Sequence, residues 1–289
     1  MREDGAFLPD LRQVRTIALK EFMDNVRGKW ILVLSALFVL LALVVSAYGG
    51  VETGQGAGIR GFRATSLGIM GLVSSFVPIL GLMASYATIA GEREQGSLQL
   101  LLTMPVTRAE VLVGKLLGLG TVLAVAILVG LGSAGVVIAV SAGTEGWGAY
   151  LALVGATLLL AFAFVSLGIL FSSFASKRST AIALAVFLWF FFTIIWSLLV
   201  LGLAAAAGIT FNLQGGAFSM PGWLWALDLV NPAEEVGALT SAAFGITEFM
   251  GFGFVYPAWA TPLSMAGALA LWVALPHLLA QLRLRRLDL

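Results

Sequence analysis

Long stretches without a charged residue constrain this 289-residue chain more than any other feature. A helix needs about 20 mostly apolar residues to cross a bilayer, whereas a barrel strand needs about ten residues of alternating polarity. The apolar stretches here do not alternate, and none contains Asp, Glu, Lys or Arg. They predict an all-α integral membrane protein with six transmembrane helices, at residues 30–47, 67–90, 116–140, 149–171, 181–206 and 263–282.

The composition favours the same class of protein. Hydrophobic residues make up 60% of the chain and charged residues 11%, where a soluble domain carries about 25% charged residues. The net charge of +1 is too small to indicate nucleic-acid binding. The chain has no cysteine and one histidine, which excludes disulfides, thiolate metal sites and the usual multi-histidine centres. We therefore expect neither a metal nor another cofactor on this chain.

The positions of the basic residues predict the orientation in the membrane. If the N-terminus is cytoplasmic, all 16 Lys and Arg residues except Arg60 and Arg63 fall in cytoplasmic segments. Basic residues accumulate on the cytoplasmic side of membrane proteins. Both termini are therefore expected in the cytoplasm.

The segment before the first span, residues 11–27, predicts an amphipathic helix. On a helical wheel the polar residues, Lys20 and Glu21 among them, mostly share one half. The apolar half consists of Leu11, Val14, Ala18, Leu19, Phe22, Met23 and Val26. We expect this helix to lie on the inner membrane surface, in contact with the lipid bilayer. Its role is that of a lipid anchor or of a docking element.

Residues 91–115 join the second and third spans and are expected in the cytoplasm. Ser97 is suited to cap a short helix over residues 98–104, which Pro105 would end. Thr107 with Glu110 three residues later matches a capping box. Leucines on a short helix beside charged residues favour a docking surface for another protein. The alternative is a connector that packs beneath the bundle.

Residues 207–262 form the longest segment between spans and are expected outside the cytoplasm. The segment holds no Lys or Arg and is too apolar to be disordered, so we expect it to be helical. It favours a gate or an extracytoplasmic partner site, and the alternative is a structural cap over the bundle. The candidate residues are Asp228, Asn231, Pro232, Glu234 and Glu235, with Pro232 in the first turn of a helix.

Several kinds of chemistry are missing from the sequence. Apart from His277, the predicted spans hold no ionisable group of the kind that ion-coupled carriers use. A lone histidine at this position is more often a hydrogen-bonding interfacial residue than a ligand. The chain also lacks a phosphate-binding loop, because the upstream glycine that this loop requires is Ala109 here. No catalytic residue is expected, so energy for transport has to come from a partner protein.

The residues after the second span resemble the cytoplasmic motif of ABC-2 type transporter permeases. That family implies two permease copies, hence a homodimer of this chain, and two ATPase subunits that hold ATP and Mg. It implies a coupling helix seated on the ATPase and a place in the plasma (inner) membrane of a bacterium or archaeon. The residues to which the resemblance gives the coupling role are Glu92, Arg93, Glu94, Gly96, Ser97, Leu98, Leu101, Leu102, Pro105 and Arg108.

A narrower resemblance rests on residues 100–105, on the chain length and on Asn231-Pro232 with its nearby acids. These features are similar to the permease of the nitrous oxide reductase maturation transporter. The resemblance implies a role in copper or sulfur delivery and a periplasmic accessory protein on residues 207–262. Two alternatives stay open. One is a non-transporting membrane scaffold that recruits an extracytoplasmic partner. The other is an ABC-2 exporter of another substrate, such as a drug, a lipid or an ion.

Overall fold

The structure, a computed structural model, describes residues 10–27, 29–48, 61–97, 105–209, 217–218, 221–246, 248–249, 252–254 and 256–286. Helices account for most of this part of the chain. Residues Phe191–Ile195 form a π-helix. The α-helices are α1 (Leu11–Arg27), α2 (Lys29–Tyr48), α3 (Phe62–Ser85), α4 (Ala90–Glu94), α5 (Arg108–Ala142), α6 (Trp147–Phe174), α7 (Arg178–Phe190), α8 (Trp196–Ala206), α9 (Gly222–Asp228), α10 (Pro232–Ala243) and α11 (Pro262–Arg285).

The described residues contain 5 helical segments long and apolar enough to cross a membrane. They coincide with the second to sixth expected spans, at Phe62–Glu94, Arg108–Ala142, Trp147–Phe174, Arg178–Ala206 and Pro262–Arg285. The first expected span coincides with the 20-residue helix α2, within which Ala36–Val45 is a shorter apolar helix. The helical membrane-protein class is confirmed. Six spans and the cytoplasmic placement of both termini stay predictions.

Helix α5 begins earlier than the expected third span, at Arg108 instead of residue 116. The predicted capping box explains this start. The Thr107 hydroxyl accepts a hydrogen bond from the Glu110 amide at 3.2 Å, and Glu110 Oε2 accepts one from the Thr107 amide at 2.7 Å. These bonds satisfy two of the amides that a helix N-terminus otherwise leaves unpaired.

Helix α6 lies at the centre of the bundle. It is the most deeply buried of the candidate spans and packs against α3, α5, α10 and α11. At its start, the Phe62 ring lies 5.2 Å from the Trp147 ring and 4.9 Å from the Tyr150 ring. Phe244, just after α10, contacts Gly146 at the same end. We call this end, where α3 and α6 begin and α5 ends, the outer end.

Residues 207–262 contain helices, as expected, and also a small sheet that was not predicted. In addition to α9 and α10, this region contains the strands β1 (Ala217–Phe218), β2 (Glu248–Phe249) and β3 (Phe252–Phe254). They form one small sheet in the order β1-β3-β2, with β1 parallel and β2 antiparallel to β3. Phenylalanine favours strands over turns, and each of these strands carries at least one.

Candidate functional site

The end of the bundle opposite the outer end gathers the charged residues, and we call it the basic end. Here α4 follows α3, α5 begins, and α6 and α11 finish. The Ser172 hydroxyl near the end of α6 accepts hydrogen bonds from the amides of Ile89 and Ala90, at 3.1 and 3.0 Å. The start of α4 is therefore fixed to the central helix.

Glu92 makes the shortest ion pair in the described part of the protein. Its Oε1 lies 2.6 Å from the Nζ of Lys115, whose side chain is 1% exposed. The same Nζ donates to Glu21 Oε1 at 2.9 Å and to the Thr88 carbonyl oxygen at 3.2 Å. Glu92 is predicted to have a coupling role, and one of its carboxylate oxygens is held inside the protein by Lys115 of α5.

The other residues of the motif connect α4 to its surroundings. Glu94 is exposed, and its Oε2 accepts a hydrogen bond from the Arg178 amide at the start of α7, at 3.0 Å. Gly96 has a φ of 72°, a left-handed conformation that suits glycine after a helix end. The Ser97 hydroxyl donates to the Glu92 carbonyl oxygen at 3.3 Å. Arg93 is half-buried.

Two further motif residues lie on the other side of the connection. Pro105 is exposed in a bend. Arg108 donates a hydrogen bond from Nη1 to the Leu284 carbonyl oxygen at the end of α11. Leu98, Leu101 and Leu102, with the short helix predicted over residues 98–104, lie outside the described residues. The described motif residues therefore contact α5, α7 and α11.

The bounds predicted for α1 are confirmed, and a residue of its predicted polar face takes part in the contact with the rest of the protein. The helix spans Leu11–Arg27 as expected. Glu21, assigned to the polar face, is buried, whereas Leu11, Leu19 and Met23 of the apolar face are exposed. Burial opposes ionisation of Glu21, but Lys115 and Lys20 outweigh it and lower the pKa of that carboxyl below its usual range.

Helix α1 lies directly against α5 because α5 presents glycines there. A Cβ at residue 118 would lie 2.6 Å from the Ala18 carbonyl oxygen, and a Cβ at residue 114 would lie 2.7 Å from the Ile17 side chain. Real side chains do not tolerate such distances, so Gly114 and Gly118 permit this approach. Glu21 and Lys115, the central pair of this contact, were not among the predicted site residues. The sequence signal for this pair is limited to the position of Lys115 directly after Gly114.

At the outer end, Asn231 and Pro232 start helix α10 as predicted. Asn231 is 0% exposed. Its Oδ1 accepts a hydrogen bond from the Ala233 amide at 3.0 Å, and its Nδ2 donates to the Phe192 carbonyl oxygen at 2.7 Å. Phe192 belongs to the π-helix between α7 and α8. One side chain thus caps α10 and binds it to a distorted turn of the neighbouring span.

Three of the four acids in residues 207–262, which we call the outer region, are predicted site residues, and they have different surroundings. Burial, with repulsion from Glu234, raises the pKa of Asp228 to about 7. Burial also raises the pKa of Glu234, although the Ser197 hydroxyl at 3.3 Å opposes this shift. Glu235 is 2% exposed, and burial raises its pKa to about 8. Of these three acids, only Asp228 and Glu234 are accessible enough to contact a partner in this conformation.

The titratable groups do not converge into a metal site in the described residues, where no three His, Cys, Asp or Glu side chains are grouped as metal ligands. His277 is buried in α11, and neither of its ring nitrogens has a hydrogen-bond partner in the described part of the chain. The expected interfacial hydrogen bond of this histidine is therefore not found there.

Comparison with known proteins identifies the family. Residues 15–289 match the family described as ABC-2 family transporter protein. The chain is 35% identical over 266 residues to a probable ABC transporter permease protein NosY of Pseudomonas aeruginosa, covering 91% of this chain and 92% of the relative. It is 32% identical over 289 residues to the protein of the same description from Stutzerimonas stutzeri, covering 96% and 99%. The chain therefore belongs to the ABC-2 family of transporter proteins, as the membrane-embedded permease of an ABC transporter.

Proposed function

We propose that this permease converts ATP hydrolysis on a separate ATPase subunit into movement of its membrane helices. The segment from Glu92 to Arg108 receives the ATPase, which carries the ATP and Mg, and two copies of each subunit form the transporter. The observation that carries the proposal is the set of contacts by which this segment is joined to three helices at the basic end.

These contacts are short. Glu92 is paired with Lys115 of α5 at 2.6 Å, and Glu94 accepts a hydrogen bond from the first amide of α7 at 3.0 Å. Arg108 donates to the carbonyl oxygen of Leu284 in α11. A displacement of the segment therefore acts on α5, α7 and α11 together, because these contacts form one connected network.

Two of these helices, α7 and α11, reach the outer region, and so does α3. Asn231 binds α10 to the π-helix that continues α7, and the Trp272 ring nitrogen of α11 donates to the Val230 carbonyl oxygen at 3.0 Å. The Ser74 hydroxyl of α3 donates to the Ala233 carbonyl oxygen at 3.1 Å. Movement of the spans is thereby passed to α10, where it opens a gate for export or signals to a periplasmic partner.

The test of the transporter assignment is a pull-down from native membranes in mild detergent, followed by mass spectrometry. We expect a soluble P-loop ATPase in near-equal amount and a complex that holds two copies of this chain. A control transporter purified in parallel has to keep its own ATPase. If the control does so and this chain brings down none, the proposal is wrong and a non-transporting scaffold explains the protein better.

We further propose that the transporter serves copper or sulfur delivery in the maturation of nitrous oxide reductase. The narrower sequence resemblance supports this assignment, and so does likeness over nearly the whole chain to two proteins described as NosY. A periplasmic accessory protein would bind the outer region. Deletion of the gene in its host should give a reductase deficient in copper, measured on the purified enzyme by metal analysis. A reductase with its full metal content would point to another substrate.

A further inference from the structure

The ammonium of Lys115 is the most completely enclosed charge in the described part of the protein. Its side chain is 1% exposed. Nζ lies 2.9 Å from Glu21 Oε1, 2.6 Å from Glu92 Oε1, and 3.2 and 3.3 Å from the carbonyl and hydroxyl oxygens of Thr88. A lysine has three donors, so these partners account for all of them.

The partners belong to three different parts of the chain. Glu21 is on α1, Thr88 is in the turn that leads to α4, and Glu92 is on α4 itself. Lys115 is on α5, one residue after Gly114, where α1 packs closely on α5. One side chain therefore joins the N-terminal helix, the coupling segment and a membrane span.

The charges of this cluster depend on one another. Lys20, whose side chain is 54% exposed, lies 3.1 Å from Glu21 Oε1 and offsets part of the second negative charge. Separation of Glu21 or Glu92 from Lys115 would leave an unpaired charge in a buried site, which costs far more than loss of an exposed ion pair. The three segments are therefore constrained to move together.

We propose that Lys115 is a positioning residue that locks α1 and the coupling segment to α5, so that α1 takes part in the stroke driven by the ATPase. This inference rests on the proposed coupling function. It gives α1 a mechanical role in addition to contact with the membrane surface. Lys115 acts through Glu92, which the coupling segment carries, and does not contact the ATPase itself.

The position of α1 is measured first, in a way that does not require an ATPase. The chain has no native cysteine, so Met23→Cys on α1 and Gln95→Cys after α4 provide two specific spin-label sites. Both side chains are exposed and lie outside the cluster. Electron–electron distance measurement should give a narrow distribution with Lys115 present and a broad or shifted one in Lys115→Met. An unchanged narrow distribution in Lys115→Met would overturn the proposal.

The second readout is ATP hydrolysis by the complete transporter. Lys115→Met should lower the stimulation of the ATPase by the permease about 5- to 150-fold, the usual range for coupled sites. Glu145→Gln, an exposed change between α5 and α6 at the outer end, serves as the control. Equal stimulation in Lys115→Met and the control would refute the positioning role. Absence of any ATPase from the wild-type complex would instead refute the coupling function.

A third variant separates positioning from folding. The combination Lys115→Met, Glu21→Gln and Glu92→Gln keeps the side-chain shapes and leaves no unpaired buried charge, since the exposed Lys20 keeps Asp24 at 3.5 Å. It should regain the thermal stability that Lys115→Met alone loses, while the label distribution stays broad and the stimulation stays low. Full recovery of ATPase stimulation in this neutral variant would show that the ion pairs contribute only to stability, and the proposal would be wrong.

Discussion

Glu235 is a buried carboxyl whose Oε2 has no hydrogen-bond partner in the described part of the chain. Burial raises its pKa to about 8, whereas the pKa of an exposed glutamate is about 4.3. Between these values the folded protein holds a proton that the unfolded chain releases. The free energy of unfolding therefore falls as the pH rises through this window.

Glu235→Gln should stabilise the protein at pH 8 and flatten this pH dependence, because the amide needs no proton to stay neutral. The expected gain is larger at pH 8 than at pH 5, because at the higher pH ionisation of the unfolded carboxyl lowers the stability of the wild type more. Thermal unfolding in detergent, followed by tryptophan fluorescence at pH 5 and pH 8, measures it. The exposed Glu145→Gln is the control. A larger gain at pH 5 than at pH 8 would contradict the account.

Asn231 has two separable functions, as the cap of α10 and as the donor to the Phe192 carbonyl oxygen. Asn231→Ala should cost about 1 kcal/mol for the cap and about 0.5–1.5 kcal/mol more for the lost hydrogen bond to the Phe192 carbonyl oxygen. Thr261→Ala, at the exposed capping box of α11, removes a cap alone. Equal losses in the two variants, measured by thermal unfolding, would show that the bond to the π-helix contributes nothing.

At the scale of the elements, the contact between α1 and α5 depends on glycine. Gly118→Ala would place a Cβ 2.6 Å from the Ala18 carbonyl oxygen, so α1 has to shift, at a cost of about 1–3 kcal/mol. Gly132→Ala in the same helix meets nothing within 4 Å, so it gains only helix propensity. The pair isolates the clash by thermal unfolding. A Gly118→Ala variant as stable as Gly132→Ala would contradict close packing of α1 on α5.

The helices could be predicted because their signals are local. Uncharged apolar stretches mark the spans, Thr107 and Glu110 mark the start of α5, and Asn231-Pro232 marks the start of α10. Each signal lies within one continuous stretch of the chain, so the sequence alone carries it.

The site was predicted only in part, because some of its contacts join residues that are far apart in the sequence. A helical wheel placed Glu21 on the polar side of α1, but the wheel does not report that Lys115 supplies a buried counter-charge 94 residues later. The small sheet was missed for the same reason, because β1 pairs with β3 across most of the outer region. The π-helix in the fifth span has no turn or capping residue that would mark it.

At the scale of the whole molecule, contacts run from the basic end to the outer end along the helices. The segment from Glu92 to Arg108 is joined to α5, α7 and α11 at one end, and α10 is joined to the π-helix, α3 and α11 at the other. The helices between the two ends are continuous, or interrupted only by the π-helix. A displacement at the basic end can therefore pass along them to the outer region.

The measurement that tests this account most directly is ATP hydrolysis by the purified transporter in lipid nanodiscs. It compares the wild type with Glu92→Gln, which removes the charge that pairs with Lys115, and with the outer-end control Glu145→Gln. The ATPase should remain bound in all three. The account predicts that Glu92→Gln lowers the stimulation of hydrolysis about 5- to 150-fold while the control matches the wild type. Full stimulation in Glu92→Gln would contradict coupling through this segment.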